Sequence, residues 1–135
     1  MLLDARAQET KEWLGIAKTD LAASRNLALN DTFASQASFH AQQSAEKALK
    51  AFLVWHQERF KKDHDIRYLG DLVLKKDPSL TALIDEAVSL NPYAVTTRYP
   101  GFSEEIGADE VADAIKIAEK VYNEILARLP KELCP

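Results

Sequence analysis

The chain has one cysteine, Cys134, so no disulfide can close within it and no cysteine-rich metal centre can be assembled. Histidine is almost as scarce, with His40, His56 and His64 the only imidazoles. No apolar run exceeds a few residues, which leaves nothing expected to span a membrane. The opening MLLDARAQETKEW lacks the apolar core of a signal peptide. These absences together read as a cytoplasmic protein without a metal or other cofactor. A surplus of positive charge is also missing. Lys and Arg number 17 against 21 Asp and Glu, a net charge of −4, which argues against coating nucleic acid by bulk electrostatics but leaves room for a local basic patch. Four Gly and five Pro are few and fall mostly late in the chain. No Gly-rich phosphate cradle, two-carboxylate metal centre or Ser-His-Asp pattern is present.

What remains is helical. Ala, Leu, Lys and Glu abound, and 135 residues fit one domain spanning 1–135. Apolar positions recur every three or four residues and predict an all-α, antiparallel up-and-down bundle of four to five helices. The first helix is expected over 5–29, with Trp13, Leu14, Ile16, Ala17, Leu21, Ser24 and Ala28 inward. Asp31 is the expected N-cap of a second helix over 32–57. Its seam is Phe33, Ala37, Ala41, Ser44, Ala48, Phe52 and Trp55, small in the middle and large at the ends. Beside that seam runs a second stripe, His40, Gln43, Lys47 and Lys50, placed for partial burial in a groove. A basic loop, 59–63, leads to a short helix over 64–75. Asp77-Pro78 opens the next helix and Asn91-Pro92 closes it. A loop over 93–107 precedes a last helix over 109–129.

Three segments carry a likeness: FHAQQSAEKALKAFLVWH from Phe39 to His56, His64-Asp65-Ile66 after the basic loop, and Thr97-Arg98-Tyr99-Pro100. The opening W-x3-A-x2-DL, Trp13 to Leu21, fits as well. In this order and spacing the chain resembles the HEPN family, the higher eukaryote and prokaryote nucleotide-binding domain, in the branch with an Arg-Tyr-Pro motif. The resemblance implies a helical bundle, commonly a homodimer. It also implies a setting beside a minimal nucleotidyltransferase in a toxin–antitoxin or similar two-gene module. One large branch of the family comprises metal-independent ribonucleases with an R-x(4–6)-H motif. Other branches are thought to bind nucleotides or protein partners.

No histidine follows Arg98. Arg59 and His64 match the ribonuclease spacing literally, but His64 already aligns with the third-helix histidine, so the match is read as coincidental. The reading therefore leans towards no enzyme. The leading expectation is a noncatalytic HEPN protein that binds a nucleotidyltransferase partner, or the phosphates of a nucleotide or of RNA. A ribonuclease toxin and a structural dimerisation module are the alternatives. The residues expected to carry binding are His40, Gln43, Lys47, Lys50, Arg98, Tyr99 and Pro100. Each has a plainer reading: a packing role for His40, surface salt bridges for the Gln43, Glu46, Lys47 and Lys50 group, and a loop anchor on a bundle carboxylate such as Glu46 for Arg98. The Glu46–Lys50 pair has the favourable orientation, a contribution of a few tenths of a kcal/mol at a helix surface.

Overall fold

The computed structural model describes residues 4–94 and 106–135. Helix α1, Ala5–Leu27, buries Ala7, Thr10, Leu14, Ala17, Leu21 and Ser24. Steps of three and four keep these on one narrow seam facing one neighbour. That neighbour is α2, Ala34–Trp55. Small residues meet across the pair, and two hydroxyls cross it: Ser24 Oγ donates to the Ala37 carbonyl at 2.6 Å and Ser44 Oγ to the Ala17 carbonyl at 2.7 Å. At the far end Arg6 Nη1 donates to the Trp55 carbonyl at 3.0 Å, with its guanidinium 3.8 Å above the Trp55 ring. In each of these three pairs the residue numbers add to 61, so the two helices are antiparallel in one register along their whole length.

Helix α2 is the centre of the molecule. Besides α1, it packs against α3 (Ile66–Lys76), α5 (Ala108–Leu126) and the 3-10 segment Val88–Ala94. It is therefore buried nearly all round, and Gln42, Glu46 and Lys50 go inside with the apolar residues. The Glu46–Lys50 pair read as a surface salt bridge is thus a buried one. The sequence pattern treats α2 as a helix with one core face, whereas neighbours cover it on several sides.

The ends of the elements follow local chemistry. Asp4 caps α1 by accepting from Ala7 N at 2.7 Å, and Asp65 caps α3 by accepting from Arg67 N at 2.8 Å. Asp77 caps a 3-10 turn, Pro78–Leu80, with Pro in its first turn as expected, and α4 (Thr81–Ala87) continues from it. Several boundaries differ from expectation. Asn30, not Asp31, supplies the cap after α1: its side chain accepts from Thr32 N at 3.0 Å and starts a 3-10 turn, Asp31–Phe33. That turn rotates Phe33 out of the seam, leaving it 42% exposed. Ile16 is also turned outward, because the seam of α1 uses Ala17. Pro92 does not close the element before it, since the Val88–Ala94 segment runs through it in 3-10 form. His64 precedes α3 instead of opening it.

Two backbone positions decide how the chain returns. Gln57 has φ 56°, and Glu58 N donates to the Leu53 carbonyl at 2.9 Å, closing α2 with a left-handed residue. The chain then doubles back over 57–65, so that α3 begins beside the middle of α2 and runs towards Glu58, which Lys76 meets at 3.6 Å. Gly70 lets α3 approach α4, because a Cβ there would overlap the Ile84 side chain. Among the described residues no strand forms, and no helix is long and apolar enough to cross a membrane.

Two substitutions test this packing. Ala48 has no exposed surface, and Ala48→Leu should cost about 1–3 kcal/mol by overpacking, seen as a lower urea midpoint. An unchanged midpoint would mean that the small-residue seam is not in close contact. Gln57→Gly should relieve left-handed strain of about 1 kcal/mol, partly offset by glycine's freedom in the unfolded chain, and raise the melting temperature. A fall in Tm would contradict this helix ending.

Candidate functional site

Just over two turns of α2 carry five polar side chains close together: Gln42, Gln43, Glu46, Lys47 and Lys50. Spacings of three, four, seven and eight bring them to one side of the helix. Glu46 is their common acceptor and is wholly buried. Its Oε1 accepts from Lys50 Nζ at 2.8 Å and from Lys47 Nζ at 3.0 Å, and lies 3.0 Å from His64 Nδ1. Its Oε2 accepts from Gln43 Nε2 at 3.2 Å and, more weakly, from Gln42 Nε2 at 3.4 Å. Lys47 Nζ also donates to Gln43 Oε1 at 3.1 Å.

The returning chain supplies His64. Gln42 Nε2 donates to its carbonyl at 3.1 Å, so both the main chain and the ring of His64 are tied to α2. The His64 side chain is nonetheless 72% exposed, leaving its outer edge to solvent. Downstream, Asn91 fixes the start of α3: its Oδ1 accepts from Ile66 N at 2.9 Å and its Nδ2 donates to Asp65 at 2.9 Å. From α1, the Trp13 ring lies 5.4 Å from Lys50 Nζ and 5.9 Å from Lys47 Nζ, and Phe60 lies 6.0 Å from Lys50 Nζ. Aromatic faces at this range stabilise a cation and exclude water from it.

The electrostatics follow from the count. Burial alone would push the Glu46 carboxyl up. The hydrogen bonds from Lys50 and Lys47, with their charges, outweigh burial and hold it below its ordinary 4.5. One carboxylate thus serves two lysines, and the trio has a net positive charge of one before His64 is counted. Lys50 is almost sealed, whereas the Lys47 side chain is 15% exposed. Among the described residues no group of His, Cys, Asp or Glu is placed to hold a metal ion.

The structure sorts the residues singled out in the sequence. Gln43, Lys47 and Lys50 belong to one cluster, and His64 joins them. His40 does not: two helical turns earlier, about 10 Å along the axis, its Nδ1 lies 2.9 Å from Asp20 Oδ1 and ties α2 to α1. Arg59 is exposed, and among the described residues no hydrogen bond or ion pair links it to His64. Arg98, Tyr99 and Pro100 lie outside the described residues. His56 packs on Phe52 with ring centroids 4.2 Å apart. Burial, followed by Lys76 and Arg6, holds its pKa below the usual 6.5. Sequence reasoning missed Glu46 as the hub, Gln42 as the anchor of His64, and Trp13 as the lid over the lysines.

A family model for the HEPN domain matches residues 10–129, which takes in every residue of the polar cluster and most of α1. The chain belongs to the HEPN family. Neither a curated protein nor a solved structure gives a match. In this HEPN chain the polar cluster is thus built where the second and third helices of the bundle meet.

Glu46→Gln tests the electrostatic reading. It leaves the buried Lys50 and the half-buried Lys47 without their carboxylate, which should cost about 3 kcal/mol at neutral pH. Because the folded pKa of Glu46 is depressed, its stabilisation is complete above the unfolded value near 4.5 and is lost as pH falls through the lower folded value. The stability gap between the native chain and the variant should therefore be constant above pH ~5 and shrink below it. A gap that grows on acidification would show that Glu46 is protonated in the folded state.

Proposed function

We propose that this HEPN protein is a noncatalytic phosphate-binding subunit. It would bind a nucleotide, or RNA phosphates, through Lys47, Lys50, Gln43 and the outer edge of His64. Arg98 with Tyr99 and Pro100, and His40 further along α2, would add contacts to the same ligand or to a partner. The observation that carries this reading is the charge surplus at α2: two lysines share one buried carboxylate, and Lys47 reaches the surface. A lysine already held by Glu46 and Gln43 loses little side-chain freedom on meeting a phosphate. The net charge of −4 fits a local anion site better than a broad nucleic-acid surface.

The resemblance adds the setting. The chain would act as one cytoplasmic domain and as a homodimer, beside a minimal nucleotidyltransferase in a two-gene module of the toxin–antitoxin kind. The interface of such a dimer would be isologous.

A second reading, the metal-independent ribonuclease, rests on His64. Its Nδ1 is held by a buried carboxylate while its other nitrogen faces solvent, the arrangement of an oriented general acid or base. RNA cleavage in EDTA that is lost in His64→Ala would establish it, and intact RNA would remove it.

The leading reading is tested by titrating the chain with ATP and with a short RNA at low and at physiological salt. Lys47→Gln should weaken binding about tenfold or more, because the charge surplus disappears. Its melting temperature should change little, since Lys50 still pairs Glu46. Equal binding by the native chain and the variant, or none by either, would refute the proposal.

A further inference from the structure

His64 also helps to line a cavity of about 460 Å³, open to solvent, between the return loop and the end of the Val88–Ala94 segment. The other lining residues are Lys62, Asp63, Asp65, Asn91 and Ala94. All but Ala94 are polar, so the cavity offers no flat apolar wall on which a base could stack. It suits a part of a ligand that carries hydroxyls. His64 joins it to the cation site, because His64 Nδ1 and Lys47 Nζ each lie 3.0 Å from the same Glu46 oxygen. A ligand with a phosphate on Lys47 therefore reaches the cavity by passing one imidazole ring.

The wall of the cavity is held from behind. Gln42 fixes the His64 carbonyl at 3.1 Å, and Asp63 Oδ1 accepts from Asp65 N at 2.9 Å. Asp65 Oδ1 accepts from Arg67 N at 2.8 Å and from Asn91 Nδ2 at 2.9 Å. Asn91 uses both ends of its amide in this way, so it supports the wall and has little left for a ligand. In each aspartate one oxygen is engaged by the protein. Among the described residues the other, Oδ2, accepts no hydrogen bond and forms no ion pair. Carboxylate oxygens accept only, so they repel phosphate and receive hydroxyl donors. A ribose with both its 2′- and 3′-hydroxyls supplies two such donors on one ring, in the charge-assisted kind of bond.

On the phosphate reading of Lys47 given above, we infer that this cavity is the sugar subsite of a free ribonucleotide. Its phosphates lie towards Lys47 and its 2′,3′-diol sits on Asp63 and Asp65. An interior nucleotide of RNA has its 3′-oxygen in a phosphodiester, and DNA lacks the 2′-hydroxyl, so neither presents the diol.

The test compares ATP, 2′-deoxy-ATP, 3′-deoxy-ATP and inorganic tripolyphosphate on the full chain. EDTA is present, so that the aspartates cannot act through a divalent cation. ATP should bind about tenfold or more tighter than either deoxy form. Asp63→Asn keeps an acceptor for Asp65 N and removes the charge. It should bring ATP down to the level of the deoxy forms, while tripolyphosphate binds no more weakly because a nearby negative charge has gone. Asp65→Asn, which retains a capping side chain for α3, should act in the same way. Lys47→Gln should weaken all four ligands and leave the preference for ATP over the deoxy forms in place. Equal binding of the four would overturn the sugar subsite and leave the phosphate reading standing. A preference for ATP that survives both aspartate variants would do the same. A short RNA that binds more tightly than ATP, and loses that advantage when its 3′ end carries a phosphate, would move the diol to an RNA terminus and overturn the assignment to a free nucleotide. No binding of any of the four would overturn both readings.

Discussion

The close antiparallel contact of α1 and α2 is the constraint from which the other features follow. It exists because the facing positions are Ala and Ser, and because two serine hydroxyls find carbonyls on the opposite helix. Such bonds form only when the backbones are near, and they fix the register as well as the distance. With α1 so close, α2 has room on its remaining sides for α3, α5 and the Val88–Ala94 segment. A helix enclosed in this way leaves little solvent face for its charged residues. Glu46 and Lys50 must then satisfy each other inside the protein.

A buried ion pair is weak evidence of stability, since desolvation of each ion costs several kcal/mol. The Glu46 cluster offsets that cost by number. Five donors converge on one carboxylate, and the lysines gain aromatic neighbours in Trp13 and Phe60. The arrangement also locks the second and third helices together, because His64 and Gln42 belong to both connections. Structure and charge are thus joined in one group of atoms. The residues that hold the return loop in place are those that leave a cation at the surface.

Much of the fold was legible because helix periodicity and capping are local. Ala37, Ala41, Ser44, Ala48 and Phe52 were readable as a seam, and Asp77-Pro78 as a start. Ile16 and Phe33 were misplaced for a local reason too: a one-residue shift in seam and a 3-10 turn are finer than periodicity resolves. The site was half legible. The stripe of Gln43, Lys47 and Lys50 could be seen, and so could a histidine after the basic loop. Their meeting at Glu46 could not, because it depends on how far the chain doubles back after Gln57. A signal was present in hindsight. A Glu–Lys pair four residues apart, flanked on both sides by alanines, is an odd composition for a solvated face. The family likeness identified the bundle but could not report that α2 is its enclosed centre.

The central claim is that Lys47, backed by the nearly sealed Lys50, forms a preorganised cation site that meets phosphate. The most direct measurement follows the side-chain Nζ resonances of the lysines by NMR as ATP is added at neutral pH. Lys47 should shift most, with Lys50 and the His64 ring following at the same ligand concentration, and the lysines of the basic loop, Lys61 and Lys62, should move less. Saturable shifts confined to Lys61, Lys62 or other exposed lysines, with Lys47 and Lys50 unmoved, would contradict it.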